Sequence, residues 1–151
     1  MARIRKEESK GIQQKIWYIG KYERLSKEDL LKGDSRSIIS QDMTLDNHLE
    51  NPIVQGEEII VVDTYKDDGT SGMYDKRSEF QRAIMDIETG RINALIVCDL
   101  SRMFRNDADQ KHYLEYYFRE RKTRIISCSL PYLDTYKEPD RIFSMDVKFQ
   151  A

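Results

Sequence analysis

The chain has 151 residues, of which 39% are hydrophobic and 34% are charged, and its formal net charge is −2 at pH 7. This composition is that of one globular domain and excludes a disordered chain, because disorder requires fewer apolar residues and a larger charge imbalance. It also excludes a generally basic DNA-binding module, so any surface that binds nucleic acid must be a local patch.

The first residues, 1–14, are charged and show no apolar periodicity, so we expect a flexible arm in front of a domain formed by residues 15–151. The chain has neither the apolar core of a signal peptide nor the run of about 18 apolar residues that a membrane span needs. We therefore expect a cytoplasmic protein without membrane contact. Cys98 and Cys128 lie in apolar runs, which favours reduced core thiols over a disulfide or a catalytic role.

Four short apolar runs predict β-strands at residues 16–21, 58–63, 94–99 and 124–129. Their hydrophobicity is continuous rather than alternating, which indicates strands that are covered on both faces. Amphipathic helices are predicted between them, and strands that alternate with helices favour a mainly parallel sheet of four to five strands in an α/β fold. The helices are marked by Ile38, Met43, Leu45 and Leu49, by Phe80, Ala83, Ile84 and Ile87 before Gly90, and by Tyr113, Leu114, Tyr117 and Phe118.

Polar segments follow the first three predicted strands. Open α/β sheets bind ligands at the carboxyl ends of their strands, so these segments are expected to meet at one edge. Ser26 follows the first strand and lies two residues after Arg24, and strand alternation directs both side chains to the same side. Serine is a weak nucleophile unless nearby charge supports it, and arginine can provide that charge at a phosphate. The run Ser26-Lys27-Glu28-Asp29 also fits a helix N-cap, but together with the other segments it favours a nucleophile at Ser26.

The second segment, Asp68-Gly69-Thr70-Ser71-Gly72, would by itself be read as a turn, and Arg77 beyond it as a solvated charge. The third, Ser101-Arg102-Met103-Phe104-Arg105, places two arginines three residues apart at the expected start of a helix, and hence on one helical face if the helix has begun there. Arginines there oppose the helix dipole, and a bound anion removes the conflict. The third segment therefore predicts phosphate binding.

These segments, in this order and with this spacing, resemble the catalytic domain of the serine recombinases, the resolvase and invertase family, and most closely its large-serine-recombinase branch. The resemblance extends over residues 16–134 and implies a resolvase-like three-layer α/β domain. The motifs that carry it are Arg24-x-Ser26, Ser37-x-x-x-Gln41, Asp68-Gly-x-Ser71-Gly with Arg77, and Ser101-Arg102-x-x-Arg105.

The resemblance implies site-specific DNA recombination. Ser26 would attack a DNA phosphodiester and form a 5′-phosphoserine intermediate, with no metal and no cofactor. The catalytic arginines implied are Arg24, Arg77, Arg102 and Arg105, and the supporting or phosphate-binding residues are Gln41, Ser71, Ser101 and Asp68. The implied partners are DNA and further copies of the chain, as homodimer or homotetramer in the full-length protein. The family continues into a long dimerisation helix and DNA-binding domains, which we expect this chain to lack.

Two other interpretations remain open. A recombinase-like domain could serve as a non-catalytic interaction module that assembles with partner subunits. Alternatively, the carboxylates near the predicted strand ends could hold Mg²⁺ in a metal-dependent nuclease or phosphotransferase. The arginines oppose that second interpretation, because they would neutralise these carboxylates. The carboxylates concerned are Asp63, Asp67, Asp68 and Asp99.

Overall fold

The computed structural model describes residues 16–25, 36–50, 56–67, 77–129, 131–145 and 147. The arm expected at residues 1–14 lies outside them. The strands in these ranges are β1 (Ile16–Arg24), β2 (Glu58–Asp67), β3 (Ala94–Val97), β4 (Arg124–Ser127) and β5 (Leu133–Asp134). They form one sheet in the order β2-β1-β3-β4-β5, in which only β5 is antiparallel to its neighbour. The expected mainly parallel sheet is confirmed.

Helices cover both faces of the sheet. They are α1 (Arg36–Leu49), α2 (Ser78–Glu88), α3 (Leu100–Met103), α4 (Asp107–Lys111) and α5 (Phe118–Glu120), with a π-helical segment (His112–Tyr117) between α4 and α5 and a 3-10 helix (Pro139–Ser144) near the end. Leu45 of α1 packs with Trp17 and Ile19 on one face of the sheet. Phe80 of α2 and Phe118 of α5 belong to a larger cluster on the other face. The architecture is therefore three layers, as the sequence predicts.

The first two strands run further than predicted, to Arg24 and Asp67 instead of residues 21 and 63. Lys21 explains the difference in β1, because its charge does not end the strand. Its ammonium group is nearly buried and lies 2.9 Å from Asp42 and 2.8 Å from Asp46, both on α1. A charged residue can continue a covered strand when the neighbouring layer supplies its counter-charge.

Two other details also differ from the prediction. Strands β3 and β4 end before Cys98 and Cys128, so both thiols are only partly buried; they are free, and burial raises the pKa of both, that of Cys128 to about 12. Met43, assigned to the buried stripe of α1, is 61% exposed.

Within the described ranges, no helix has the length and hydrophobicity that crossing a lipid bilayer requires.

A β-bulge in β2 sets the pairing of the two long strands. Ile19 pairs with Val61, whereas the next residue of β1, Gly20, pairs with Asp63, so Val62 is one extra residue in β2. Bulges of this kind re-aim the side chains that follow them. From this point on, the pairing of β1 with β2 is offset by one residue.

The offset brings Tyr65 opposite Tyr22 and Asp67 opposite Arg24 at the carboxyl end of the sheet. Both tyrosine rings are fully buried in the cluster beneath α2. The ring of Tyr65 also passes over Gly20, where a Cβ atom would lie only 2.5 Å from Tyr65 Cε2. This close approach requires glycine at position 20.

Candidate active site

The candidate site lies where the strand order reverses. Strand β1 has β2 on one side and β3 on the other, and open α/β sheets bind ligands at the carboxyl ends of the strands at such a reversal. Arg24 and Asp67 end β1 and β2, and α3 begins three residues after β3 ends. The geometry therefore brings residues from three separate segments of the chain to one edge of the sheet.

The Arg24 guanidinium crosses from β1 to the segment that follows β3. Its Nε donates to the carbonyl oxygen of Arg102 at 2.8 Å, and its Nη2 donates to that of Ser101 at 2.7 Å. In return, Arg102 Nη1 donates to the carbonyl oxygen of Arg24 at 3.1 Å. Burial, aided by the charges of Arg77 and Arg102, lowers the pKa of Arg24, although the group remains charged at neutral pH. An anion at this edge would offset that desolvated charge.

Gln41 fixes the main chain at the same point. Its side-chain carbonyl accepts from the Arg24 N–H at 3.1 Å, and its amide donates to the Arg24 carbonyl oxygen at 2.9 Å. Gln41 is 4% exposed and lies on α1. This double contact ties α1 to the end of β1, so the supporting residue expected from the sequence contacts the first expected arginine.

Arg77 is placed differently from a solvated charge. It is 2% exposed, and its guanidinium lies 4.3 Å from the centre of the Phe80 ring. Nη1 donates to the carbonyl oxygen of Met103 at 2.6 Å, and Nη2 donates to Asp109 Oδ1 at 3.2 Å. Its backbone has a left-handed conformation, with φ 50°, which is unusual for a residue with a side chain. Arg77 is therefore committed to protein groups at the back of the site.

The segment after β3 does not form one continuous helix. The α3 helix ends at Met103, and Phe104 is extended and fully buried, so the prediction that Arg102 and Arg105 share a helical face was wrong. The Ser101 hydroxyl donates to Asp99 Oδ1. The side chain of Arg102 is 17% exposed and that of Arg105 is 55% exposed. Arg105 is thus the arginine of this segment most accessible to a ligand.

Asp67 caps a helix that lies far from it in the sequence. Its Oδ1 accepts from the backbone N–H of Glu79 at 2.9 Å, and Oδ2 accepts from that of Phe80 at 3.1 Å, so a residue of β2 caps the start of α2. The Tyr22 hydroxyl donates to Oδ2 at 2.6 Å. Burial and the adjacent Asp67 carboxylate together raise the pKa of Tyr22. No local spacing links these residues, so sequence reasoning could not assign the cap.

Three of the four carboxylates considered for a metal, Asp63, Asp67 and Asp99, are engaged elsewhere. Asp63 contacts Arg82 at 2.7 Å and Arg91 at 3.0 Å, and these bonds lower its pKa to about 2. Asp67 caps α2, and Asp99 accepts from Ser101. In the described part of the chain, no three His, Cys, Asp or Glu side chains are grouped so that they could hold a metal ion. The arginine side chains, in contrast, are grouped.

Three of the expected site residues, Ser26, Asp68 and Ser71, lie outside the described residues. Of the others, the geometry joins Arg24, Gln41, Ser101 and Arg102 by direct contacts, and it joins Arg77 and Arg105 through Asp109. Asp109 was not among the expected residues. Its sequence signal is the pattern Asn106-x-x-Asp109, which is typical of a helix start, and the Asn106 side chain does accept from the Asp109 N–H at 2.8 Å.

The chain is similar to known site-specific recombinases. The family model Resolvase, N terminal domain, matches residues 19–147. The N-terminal catalytic domain of TP901-1 integrase is 28% identical in a solved structure with a TM-score of 0.65, which covers 85% of this chain and 88% of that one. A resolvase family site-specific recombinase from Streptococcus pneumoniae, 24% identical with a TM-score of 0.66, covers 85% and 82% and shows likeness of fold. Among curated proteins, none matches the chain.

Proposed function

The chain belongs to the resolvase N-terminal domain family and is a site-specific recombinase catalytic domain, and on this premise we propose that Ser26 is its nucleophile. The family and the fold expected from the sequence motifs are confirmed. Membership implies binding to DNA and oligomerisation. That the full-length protein acts as a homodimer that pairs into a homotetramer, in the cytoplasm, is part of the proposal.

In the proposed reaction, the Ser26 hydroxyl oxygen attacks a phosphorus atom of the DNA backbone. A new bond joins the Ser26 oxygen to the 5′-phosphate while the bond between phosphorus and the 3′-oxygen breaks. Ser26 gives up its hydroxyl proton, and the 3′-oxygen takes up one proton and leaves as a hydroxyl. One phosphate ester replaces another, so the energy of the broken bond is retained and the strand can be resealed without ATP. The reaction needs positive charge around the phosphate, which arginines can provide.

The observation that carries the proposal is the exchange of hydrogen bonds between Arg24 and Arg102. Each guanidinium donates to the main chain of the other residue's segment, so two cationic side chains, one at the end of β1 and one in α3, are held together. Ser26 lies two residues beyond Arg24. In the proposed site Arg24, Arg102 and Arg105 stabilise the charge on the phosphate, and Ser71, Ser101 and Asp68 support them. Arg77, buried behind them, arranges the others in this conformation.

The experiment uses a protein that contains this domain, together with double-stranded DNA that carries its recombination site. Denaturing gels should show a covalent protein–DNA adduct that Ser26→Ala abolishes, while the domain still folds, since a lost N-cap costs only about 1 kcal/mol. The matched control is Ser40→Ala on the exposed side of α1, which should leave the adduct unchanged. Adducts that persist in Ser26→Ala would identify another nucleophile.

A chelator provides the second arm of the same experiment. Adduct formation should continue in EDTA, because the proposed site uses arginine charge. A strict requirement for Mg²⁺ would favour the nuclease interpretation and direct attention to Asp68 and Asp99. A wild-type protein that binds DNA but forms no adduct under any condition would favour the non-catalytic interaction module.

A further inference from the structure

One carboxylate joins the two arginines that do not contact Arg24. Asp109 Oδ1 accepts from Arg77 Nη2 at 3.2 Å, and its Oδ2 lies 3.1 Å from Arg77 Nη1. The same Oδ2 accepts from the backbone N–H of Arg105 at 2.9 Å. The Asp109 side chain is 10% exposed and that of Arg77 is 3% exposed. Asp109 therefore holds one buried charge and one backbone group of the proposed site at once.

The Arg77–Asp109 pair encloses the short segment between the two other arginines. Arg77 donates to the carbonyl oxygen of Met103, and Asp109 accepts from the N–H of Arg105. Between these bonds lies Phe104, which is extended and fully buried. Both ends of the segment are thus tied to one ion pair. The path of the segment decides where the Arg105 side chain points.

The pair is better suited to positioning than to stability. A buried ion pair is weak evidence for stability, because two apolar side chains of similar volume often serve the fold as well. Arg77 also has a left-handed backbone, and strained conformations of this kind concentrate at functional sites. Asp109 itself is fixed, since Asn106 caps the helix turn from which it projects.

Building on the proposed function, we propose that Asp109 is a positioning residue, which aligns Arg77 and the segment 103–105 so that Arg105 reaches the scissile phosphate. Asp109 does not touch the DNA. Its loss leaves the arginines present but no longer aligned, so the chemical step slows while affinity for DNA is retained.

The test compares Asp109→Asn with Asp107→Asn in the protein and DNA assay that tests the proposed function. Asp107 is an exposed aspartate in the same first turn of α4, so it receives the same change without the contacts. At saturating DNA, Asp109→Asn should form adducts at least tenfold more slowly, with an unchanged dissociation constant for DNA. Asp107→Asn should match the wild type in both.

A stability control separates positioning from loss of fold. Ile142→Ala removes buried volume at the opposite end of the domain, in a cavity lined also by Trp17 and Arg124 at the starts of β1 and β4. The two variants are compared under conditions in which their melting temperatures are lowered equally. If Asp109 served stability alone, Ile142→Ala and Asp109→Asn would then form adducts at equal rates. That result would overturn the proposal.

Hydrogen exchange gives a readout that does not depend on activity. In Asp109→Asn, the amide of Arg105 should exchange at least tenfold faster, whereas Asp107→Asn leaves it unchanged. Unchanged exchange in Asp109→Asn would overturn the proposal even if cleavage slowed. If the wild type formed no adduct, the proposed function would fail, and the exchange result would still decide whether Asp109 holds this segment.

Discussion

Glu23 predicts an unusual dependence of stability on pH. It lies in β1 beside Arg24 and is 0% exposed, and neither carboxyl oxygen accepts a hydrogen bond from a described residue, so a hydrogen bond with the neighbouring Asp42 must be one that Glu23 donates. Burial raises its pKa to about 8, and the hydrogen bond and charge of Asp42 add to that effect, while Lys66 and Lys21 oppose it. Two carboxyl groups can share a hydrogen bond only if one is protonated. Glu23 is therefore the proton donor, which lowers the pKa of Asp42.

The sign follows from the raised pKa. Between the ordinary value of 4.5 and about 8, the unfolded chain has released the Glu23 proton while the folded domain retains it. The free energy of unfolding therefore falls as pH rises through this range and levels off above it. The difference between 4.5 and about 8, at about 1.4 kcal/mol per pH unit, gives an upper limit of about 5 kcal/mol for this loss. The lowered pKa of Asp42 acts only below its ordinary value of 3.8, outside this range.

The variant that isolates this effect is Glu23→Gln, which has nearly the same shape and does not titrate. Urea unfolding at pH 5, 6.5 and 8 should show similar stability for both proteins at pH 5. At pH 8 the variant should be more stable by several kcal/mol, within the limit of about 5 kcal/mol set above. Glu50→Gln, at the exposed end of α1, is the matched control and should follow the wild type. Parallel pH profiles for wild type and Glu23→Gln would refute the reasoning.

Two further predictions concern the sheet. Asp67→Ala leaves two backbone N–H groups of α2 without their acceptor and should lower the free energy of unfolding in urea by about 3 kcal/mol. The control Asp63→Ala breaks a partly exposed ion pair and should lower it by about 1 kcal/mol. Equal losses would contradict the role of Asp67 as a cap. Gly20→Ala should cost about 1–3 kcal/mol because its Cβ would overlap the Tyr65 ring, and a double-mutant cycle with Tyr65→Leu should give a smaller cost for Gly20→Ala when the ring is absent. An additive cycle would show that the ring is not the cause.

Much of the fold could be predicted because its signals are local. The apolar runs of β3 and β4 are buried over their whole length, and the stripe of Phe80, Ala83 and Ile87 does face the core. What could not be predicted depends on distant partners. Lys21 continues β1 because α1 brings carboxylates to it, and nothing near Lys21 in the sequence reports that.

The candidate site divides in the same way. Residue types and spacing were enough to single out Arg24 and Arg102, whose contact spans 78 residues of sequence. The burial of Arg77 could not be foreseen, because it depends on Met103 and Asp109 folding back over it. Arginine in a motif indicates charge at a site, but only tertiary structure decides whether that charge faces a ligand or a neighbouring side chain.

The bulge at Val62 means that β2 contains one residue more than its pairing with β1 requires. Because one residue there has no counterpart in β1, a chain that lost any single residue from Val62 to Thr64 could close the bulge and still pair Arg24 with Asp67. A chain that gained a residue there would need a second bulge to do so. Deletions and insertions in this strand are therefore not equivalent: relatives one residue shorter here can keep the geometry of the site, whereas longer ones must rebuild it.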